Sequence, residues 1–262
     1  MLRFSANLGF LWTDLPLLDG IRSAAAAGFD AVEFHFPYDV PAEAVRQALG
    51  EAGLPATGLN TRRGDTQAGD FGLAALPGRE SEARAAIDEA IGYARAIGAD
   101  YVHVMAGKPG GDAREAARRA YLDALDHAAA LAEAGGITIV IEPLNQRDAP
   151  GYFLNANVQA ADIIAELGRE NLKLLFDCYH AQVSEGDLTR QIEKLLPIIG
   201  HIQIAAVPSR AEPDEGEVAY ERLLKTIEAM GYAGFIGAEY RPRGHVEDGL
   251  DWLGRCRDAL SR

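Results

Sequence analysis

Short apolar runs alternate with longer stretches in which apolar positions recur every three to four residues, and the alternation continues along the whole chain. The short runs read as buried strands: Leu2–Ala6, Ala31–Phe34, Ala56–Leu59, Tyr101–Met105, Ile137–Ile141, Leu172–Phe176, His201–Ile204 and Phe235–Ala238. They carry few charges, as strands covered on both faces do. The stretches between them read as amphipathic helices over Leu15–Ala27, Pro41–Ala52, Glu80–Ile97, Ala113–Ala134, Val158–Leu167, Leu188–Leu196, Tyr220–Met230 and Val246–Leu260. Local signals mark the ends. Pro41 opens a helix that Gly53 closes, Gly98 closes the next, and Asn157 is placed as an N-cap.

About eight strand–helix units in a chain of 262 residues match the count and the usual length, about 250 residues, of a (β/α)8 TIM barrel. The expected fold is therefore α/β, one barrel domain over residues 1–262. An open doubly wound sheet would need a glycine-rich phosphate fingerprint after an early strand, and none is present. Two connections are longer than a barrel requires. Thr61–Gly78 is rich in glycine and is expected to act as a lid, and Ala205–Glu217 to contact substrate. The pairs Arg62-Arg63 and Asp214-Glu215 are too short to be charged tails.

Composition narrows the function classes. A hydrophobic share of 48% and a charged share of 24% suit one large core. A net charge of −14 excludes a basic nucleic-acid footprint, and no apolar run is long enough to span a bilayer. The start of the chain has no signal-peptide pattern and the two cysteines, Cys178 and Cys256, no framework spacing, so the expected location is cytoplasmic, with reduced thiols. A homo-oligomer is compatible with the sequence, which does not set its order.

The candidate chemistry lies where strands end. Glu142, Asp177, Gln203 and Glu239 each stand at the end of a predicted strand in four successive units. In a parallel barrel these ends meet at one rim. Three clustered carboxylates must be relieved by protons or by a cation. An all-oxygen set without Cys or His favours a hard divalent ion, Mg²⁺ or Mn²⁺, over zinc.

The local segments are more specific. Ile141-Glu142-Pro143-Leu144-Asn145, Asp177-Cys178-Tyr179-His180, His201-Ile202-Gln203-Ile204 and Gly237-Ala238-Glu239-Tyr240 occur in that order. Phe4-Ser5-Ala6-Asn7-Leu8, Val32-Glu33-Phe34, Phe36-Pro37-Tyr38-Asp39 and Pro77-Gly78-Arg79-Glu80 accompany them. Together they resemble the hydroxypyruvate isomerase family, a group of xylose-isomerase-like barrels, over essentially the whole chain. The resemblance implies that Glu142, Asp177, Gln203 and Glu239 bind a divalent metal and that Glu142 and Glu239 move protons. It also implies that His180 binds substrate and that Arg210 holds the substrate's polar end.

The residues add further expectations. Lys108 is a candidate second anion contact, Asn7 and Asn60 are candidate hydrogen-bond donors to substrate, and Glu33, a further candidate substrate contact, is expected to pair with a positive side chain in the barrel mouth. His201, at the start of its predicted strand, reads as structural, while His103 is left open between interior and rim. Cys178 reads as a buried, inert thiol. Trp12 and Phe10 are expected to cover the mouth.

The expected reaction is isomerisation of a small anionic hydroxy-oxo acid, first hydroxypyruvate to 2-hydroxy-3-oxopropanoate through an enediolate. The alternative is isomerisation of a 2-oxo-tetronate. A ketose 3-epimerase is disfavoured because those enzymes place a histidine where Gln203 stands. An endonuclease IV-like phosphodiesterase would need several histidine ligands from a chain with 6 histidines in all. The remaining rival is a non-catalytic ligand-binding barrel.

Overall fold

The structure is a computed structural model and describes residues 1–111 and 113–261. Eight parallel strands form its sheet: β1 (Arg3–Asn7), β2 (Ala31–Glu33), β3 (Gly58–Asn60), β4 (Tyr101–His103), β5 (Thr138–Ile141), β6 (Leu172–Asp177), β7 (Ile199–Ile204) and β8 (Phe235–Ala238). Their spatial order is β2-β1-β8-β7-β6-β5-β4-β3. The barrel closes between β2 and β3, where Val32 bridges Ala56 and the amides of Phe34 and Asn60 bond Gly58 O and His35 O. Apolar strand residues such as Val32, Leu59, Val102, Ile139 and Ile202 are fully buried, consistent with a sheet covered on both faces.

The helices pack outside: α1 (Leu17–Ala26), α2 (Ala42–Ala52), α3 (Glu80–Ile97), α4 (Arg114–Glu133), α5 (Asn157–Leu167), α6 (Cys178–Ser184), α7 (Leu188–Leu195), α8 (Tyr220–Ala229) and α9 (Asp251–Leu260). The apolar stripe of α3, Ala83, Ala86, Ile87, Ala90, Ile91 and Ala94, is buried at helical spacing, and Gly98 ends the helix in the left-handed conformation that glycine adopts without steric cost. No helix among the described residues is long and apolar enough to cross a membrane.

Three local expectations change. Asn157 is the first helical residue of α5 and not its cap; its backbone N–H is taken by Glu185 and its side chain donates to Gln191. β7 begins at Ile199, so His201 lies within the strand and not at its start. The short helix α6 interrupts the β6–α7 connection, too brief to leave a period in the sequence. Asp177 caps it, its Oδ1 accepting the Tyr179 amide at 2.7 Å.

Candidate active site

Because all strands run one way, their C-terminal ends share a rim. Glu142 follows β5, Asp177 ends β6, Gln203 is the last but one residue of β7, and Glu239 follows β8; all four are buried there. They occupy two different environments.

Glu239 is surrounded by donors. Its Oε2 accepts from Arg210 at 2.6 Å. Its Oε1 receives His35 Nε2 at 2.9 Å, Asn7 Nδ2 at 3.0 Å and Gln203 Nε2 at 3.4 Å. Burial, the largest single influence, pushes the carboxyl up, but the His35 hydrogen bond and the Arg210 charge outweigh it and hold the group at about 2. Arg210 is itself fixed between the rings of Phe10 and Tyr179, each 4.9 Å away. Its backbone is left-handed, φ 56°, a conformation that costs energy in a residue with a side chain. Two hydrogen bonds hold it so, Arg210 N to Ala206 O and Arg241 N to Arg210 O, both 2.8 Å.

Across the rim, Glu142 and Asp177 lack such company. Glu142 Oε1 and Asp177 Oδ2 are buried without a hydrogen-bond partner among the described residues. Burial raises the Glu142 carboxyl well above the usual range, with the charges of Glu239 and Asp177 adding to the rise. Burial and the Glu239 charge push Asp177 up to about 7. Ligand atoms of Glu142, Asp177 and His180 all lie within 4.8 Å of one another.

His180 takes a defined role in this group. The backbone amide of Asn145 donates to its Nδ1 at 3.1 Å, and burial together with the Arg210 charge lowers its pKa to about 3. A neutral ring with Nδ1 accepting carries its proton on Nε2, which faces Glu142 at 3.8 Å and Asp177 at 3.7 Å. His180 thus faces these carboxylates with an N–H held beyond hydrogen-bond distance and no lone pair ready for a metal.

The oxygens suit a hard cation better. Glu142, Asp177 and Gln203 each present one buried oxygen with no partner among the described residues, and such orphaned acceptors are rare in finished interiors. Three oxygen donors at a rim with excess negative charge fit a divalent ion. Glu239 is already saturated by protein donors, so it would have to share its oxygens to join them.

The rim encloses a cavity of about 300 Å³ lined by Glu142, Glu239, His180, Arg210 and Asn60, among others. Three expected substrate contacts do not reach it. Glu33 lies beneath, its oxygens taking Ser5 at 2.7 Å, Gln203 at 2.8 Å, and Asn7 and His201 at 2.9 Å. Burial raises its carboxyl, yet the charge and hydrogen bond of His201 bring it below the usual range. Gly237 makes room, since a Cβ there would lie 2.7 Å from both Glu33 oxygens. Asn7 gives both its side-chain N–H groups to Glu33 and Glu239, leaving none for a ligand. Lys108 sits over the Phe71 ring at 5.1 Å and is not among the residues that line the cavity.

The Thr61–Gly78 connection is pinned along its second half. Gly72 pairs with Ala106, Ala74 N and Ala75 N bond Met105 O and Ala106 O, and Arg79 grips Asp70 with two bonds of 2.8 Å. Residues 64–69 form a continuous exposed tip, so the expected lid is reduced to that tip. His35 and Arg63 line the cavity although neither was expected there from the sequence. His35 was findable: it stands two residues beyond Glu33, on the same side of an extended chain. His103 is buried at the rim, its Nδ1 3.3 Å from Asn60 Oδ1 and 3.5 Å from Glu142, and burial lowers its pKa to about 4.

Known proteins share this barrel and much of its sequence. A family model described as the xylose isomerase-like TIM barrel matches residues 21–256. The 2-oxo-tetronate isomerase of Cupriavidus necator is 49% identical over 254 residues, 97% of this chain and 98% of that one. The hydroxypyruvate isomerase of Escherichia coli is 41% identical over 254 residues, with the same coverage of 97% and 98%. Among solved structures, that of an AP endonuclease, family 2, from Brucella melitensis superposes with a TM-score of 0.94 at 42% identity, covering 97% of this chain and 98% of that one.

Proposed function

The chain belongs to the xylose isomerase-like TIM barrel family, and from that premise we infer that it is an isomerase of a small hydroxy-oxo acid. The reading rests on one observation: two glutamates line a shared cavity in opposite surroundings, Glu239 held by Arg210, His35 and Asn7 with its carboxyl lowered, Glu142 with an unpartnered buried oxygen and its carboxyl raised by burial. Groups whose environments split their pKa values in this way divide naturally into base and acid.

With hydroxypyruvate, ionised Glu239 takes a proton from the hydroxymethyl carbon, and the electron pair moves into the enediolate. Glu142 then delivers a proton to the neighbouring carbon, which had been the carbonyl carbon, while the hydroxyl proton passes between the two oxygens. The product is 2-hydroxy-3-oxopropanoate, an isomer of the substrate, and exchange with solvent removes the proton from Glu239 and reloads Glu142. His180, with its proton on Nε2, donates to a substrate oxygen between the two carboxylates. Asn60 offers a second polar contact from the β3 side. A divalent ion, Mg²⁺ or Mn²⁺, held by Glu142, Asp177 and Gln203 with Glu239 as a further ligand, would polarise the carbonyl and offset the charge that develops on its oxygen.

A 2-oxo-tetronate undergoes the same transfer on an acid one carbon longer, and the 49% identity to a relative of that name supports it as the second substrate. The endonuclease name belongs to the Brucella protein; for this chain a net charge of −14 opposes DNA as a partner. A proton-NMR time course with Mg²⁺ or Mn²⁺ tests the reading. Hydroxypyruvate or a 2-oxo-tetronate should convert to its isomer with solvent deuterium entering at the new C–H. Conversion of neither acid, by protein shown to bind the ion, would refute it.

A further inference from the structure

We propose that Arg63 is the anchor for the substrate's carboxylate. The proposal rests on the hydroxy-oxo acid reading and adds the residue that makes the site select acids. Three arginines line the cavity, Arg63, Arg210 and Arg241. Arg210 is committed: its guanidinium bonds Glu239 at 2.6 Å and stands 3.8 Å from Asp177. Arg241 is exposed, its guanidinium 5.6 Å from the Phe10 ring. Of the three, Arg63 alone combines partial burial with a fork that has no ion-pair partner among the described residues.

Its setting is that of a built binding group. The guanidinium stacks on Phe36 at 4.3 Å and lies 5.5 Å from the Phe71 ring, and both rings also line the cavity. Aromatic contacts occupy the faces of a guanidinium and leave its in-plane N–H groups free, the edge that pairs with a carboxylate through two parallel bonds. Burial lowers its pKa, and no neighbouring carboxylate acts to raise it. Its chain neighbour shows the alternative, since Arg62 points outward onto Glu89 at 2.7 Å. The Arg63 backbone is held as well, its carbonyl accepting the Gly72 amide at 2.9 Å in the pinned half of the loop. In a protein of net charge −14, whose rim adds Glu142 and Glu239, an acid needs such a directed cation to enter.

The test compares glycerate, an acid of the same length that lacks the oxo group, with its neutral amide, by calorimetry on the Mn²⁺-loaded protein. Arg63→Ala should weaken glycerate binding about 10- to 100-fold and the amide less than about threefold. Arg63→Lys, which keeps the charge and loses the fork, should recover part of the difference. In turnover of hydroxypyruvate, the loss should fall on KM more than on kcat. Equal losses for acid and amide, unchanged glycerate affinity in Arg63→Ala, or a parent that does not prefer the acid would each overturn the assignment. Arg63-dependent glycerate binding by a protein that isomerises no acid would sustain the anchor and remove the isomerase reading. Turnover that ignores Arg63 would do the reverse.

Discussion

Glu142 and Glu239 are the same residue type, stand at the ends of β5 and β8 on opposite sides of one rim and are equally buried, yet they differ in their electrostatic surroundings. The β8 side meets Glu239 with Arg210, His35, Asn7 and Gln203. The β5–β6 side leaves an oxygen of Glu142 and one of Asp177 unpaired among the described residues. Burial alone would raise all three carboxyls, so the supply of donors decides which of them ionises. One half of the rim is complete as protein, and the other is complete only with a proton or a cation. This asymmetry gives a cluster of like charges two sides, one held by protein donors and one with room for a proton or a cation.

The largest expected effect comes from erasing either end of the contrast. Glu239→Gln and Glu142→Gln keep the shape and remove proton transfer, and each should lower kcat by about 100-fold or more. Either variant turning over near the parent's rate would remove that residue from the pair.

A smaller effect should follow from weakening the donor side alone. Arg210→Ala removes a hydrogen bond to a charged group, worth about 1.5–3 kcal/mol, so kcat should fall about 10- to 100-fold. The acid limb of the pH profile should move upward as Glu239 loses its cation. Because Arg210 acts through Glu239, acids and neutral hydroxyaldehydes should suffer alike. A loss confined to acids would show that Arg210 holds substrate, as the sequence had suggested.

Stability should carry the same asymmetry with opposite slopes. Glu239, at about 2, lies below its ordinary 4.5. It contributes stability that is present above about pH 4.5 and lost as pH falls toward 2. Asp177, at about 7, lies above its ordinary 3.8, so the folded state keeps a proton that the unfolded chain has released. The metal-free protein should therefore lose stability as pH rises from about 4 through 7. Added Mn²⁺ displaces that proton and should stabilise more at pH 8 than at pH 5, by about 2.7 kcal/mol at a hundred times its Kd. Thermal midpoints in chelator and in Mn²⁺ across this range measure both trends, and a flat metal-free profile would contradict the Asp177 assignment. The smallest effect is expected from Asp177→Asn, which keeps an oxygen to cap α6. It should raise metal-free stability at pH 8 by about 1 kcal/mol and abolish the Mn²⁺ response.

The barrel and the four rim residues were legible because both depend on periodicity. Apolar runs of strand length locate strands, and a parallel barrel brings their ends together whatever the loops do. Phe235–Ala238 and Glu80–Ile97 were read to the residue for that reason. What the sequence withheld depends on where loops travel. Arg62 and Arg63 are adjacent and chemically identical, and only the folded path sends one to solvent and the other between Phe36 and Phe71. Glu33 was expected to find a positive partner in the barrel mouth. That it sits beneath the cavity, with five side chains consuming its oxygens, follows in part from His201 lying two residues inside β7, a register that no local pattern marks. Arg210 was placed at the rim correctly, but its engagement with Glu239 needs a left-handed turn at a residue that gives no hint of one.

The attachment of the Arg63 loop has a consequence for how such an enzyme can change. Its pinned half is tied to the residues after β4 through Gly72 and Ala106, while Glu239 and its donors hang from β1, β2, β7 and β8. Substitutions around Arg63 can therefore drift, lengthen or shorten the grip on an acid without disturbing Glu239 and the donors that hold it. Natural variation in this barrel has a place to explore new substrates at little risk to its chemistry.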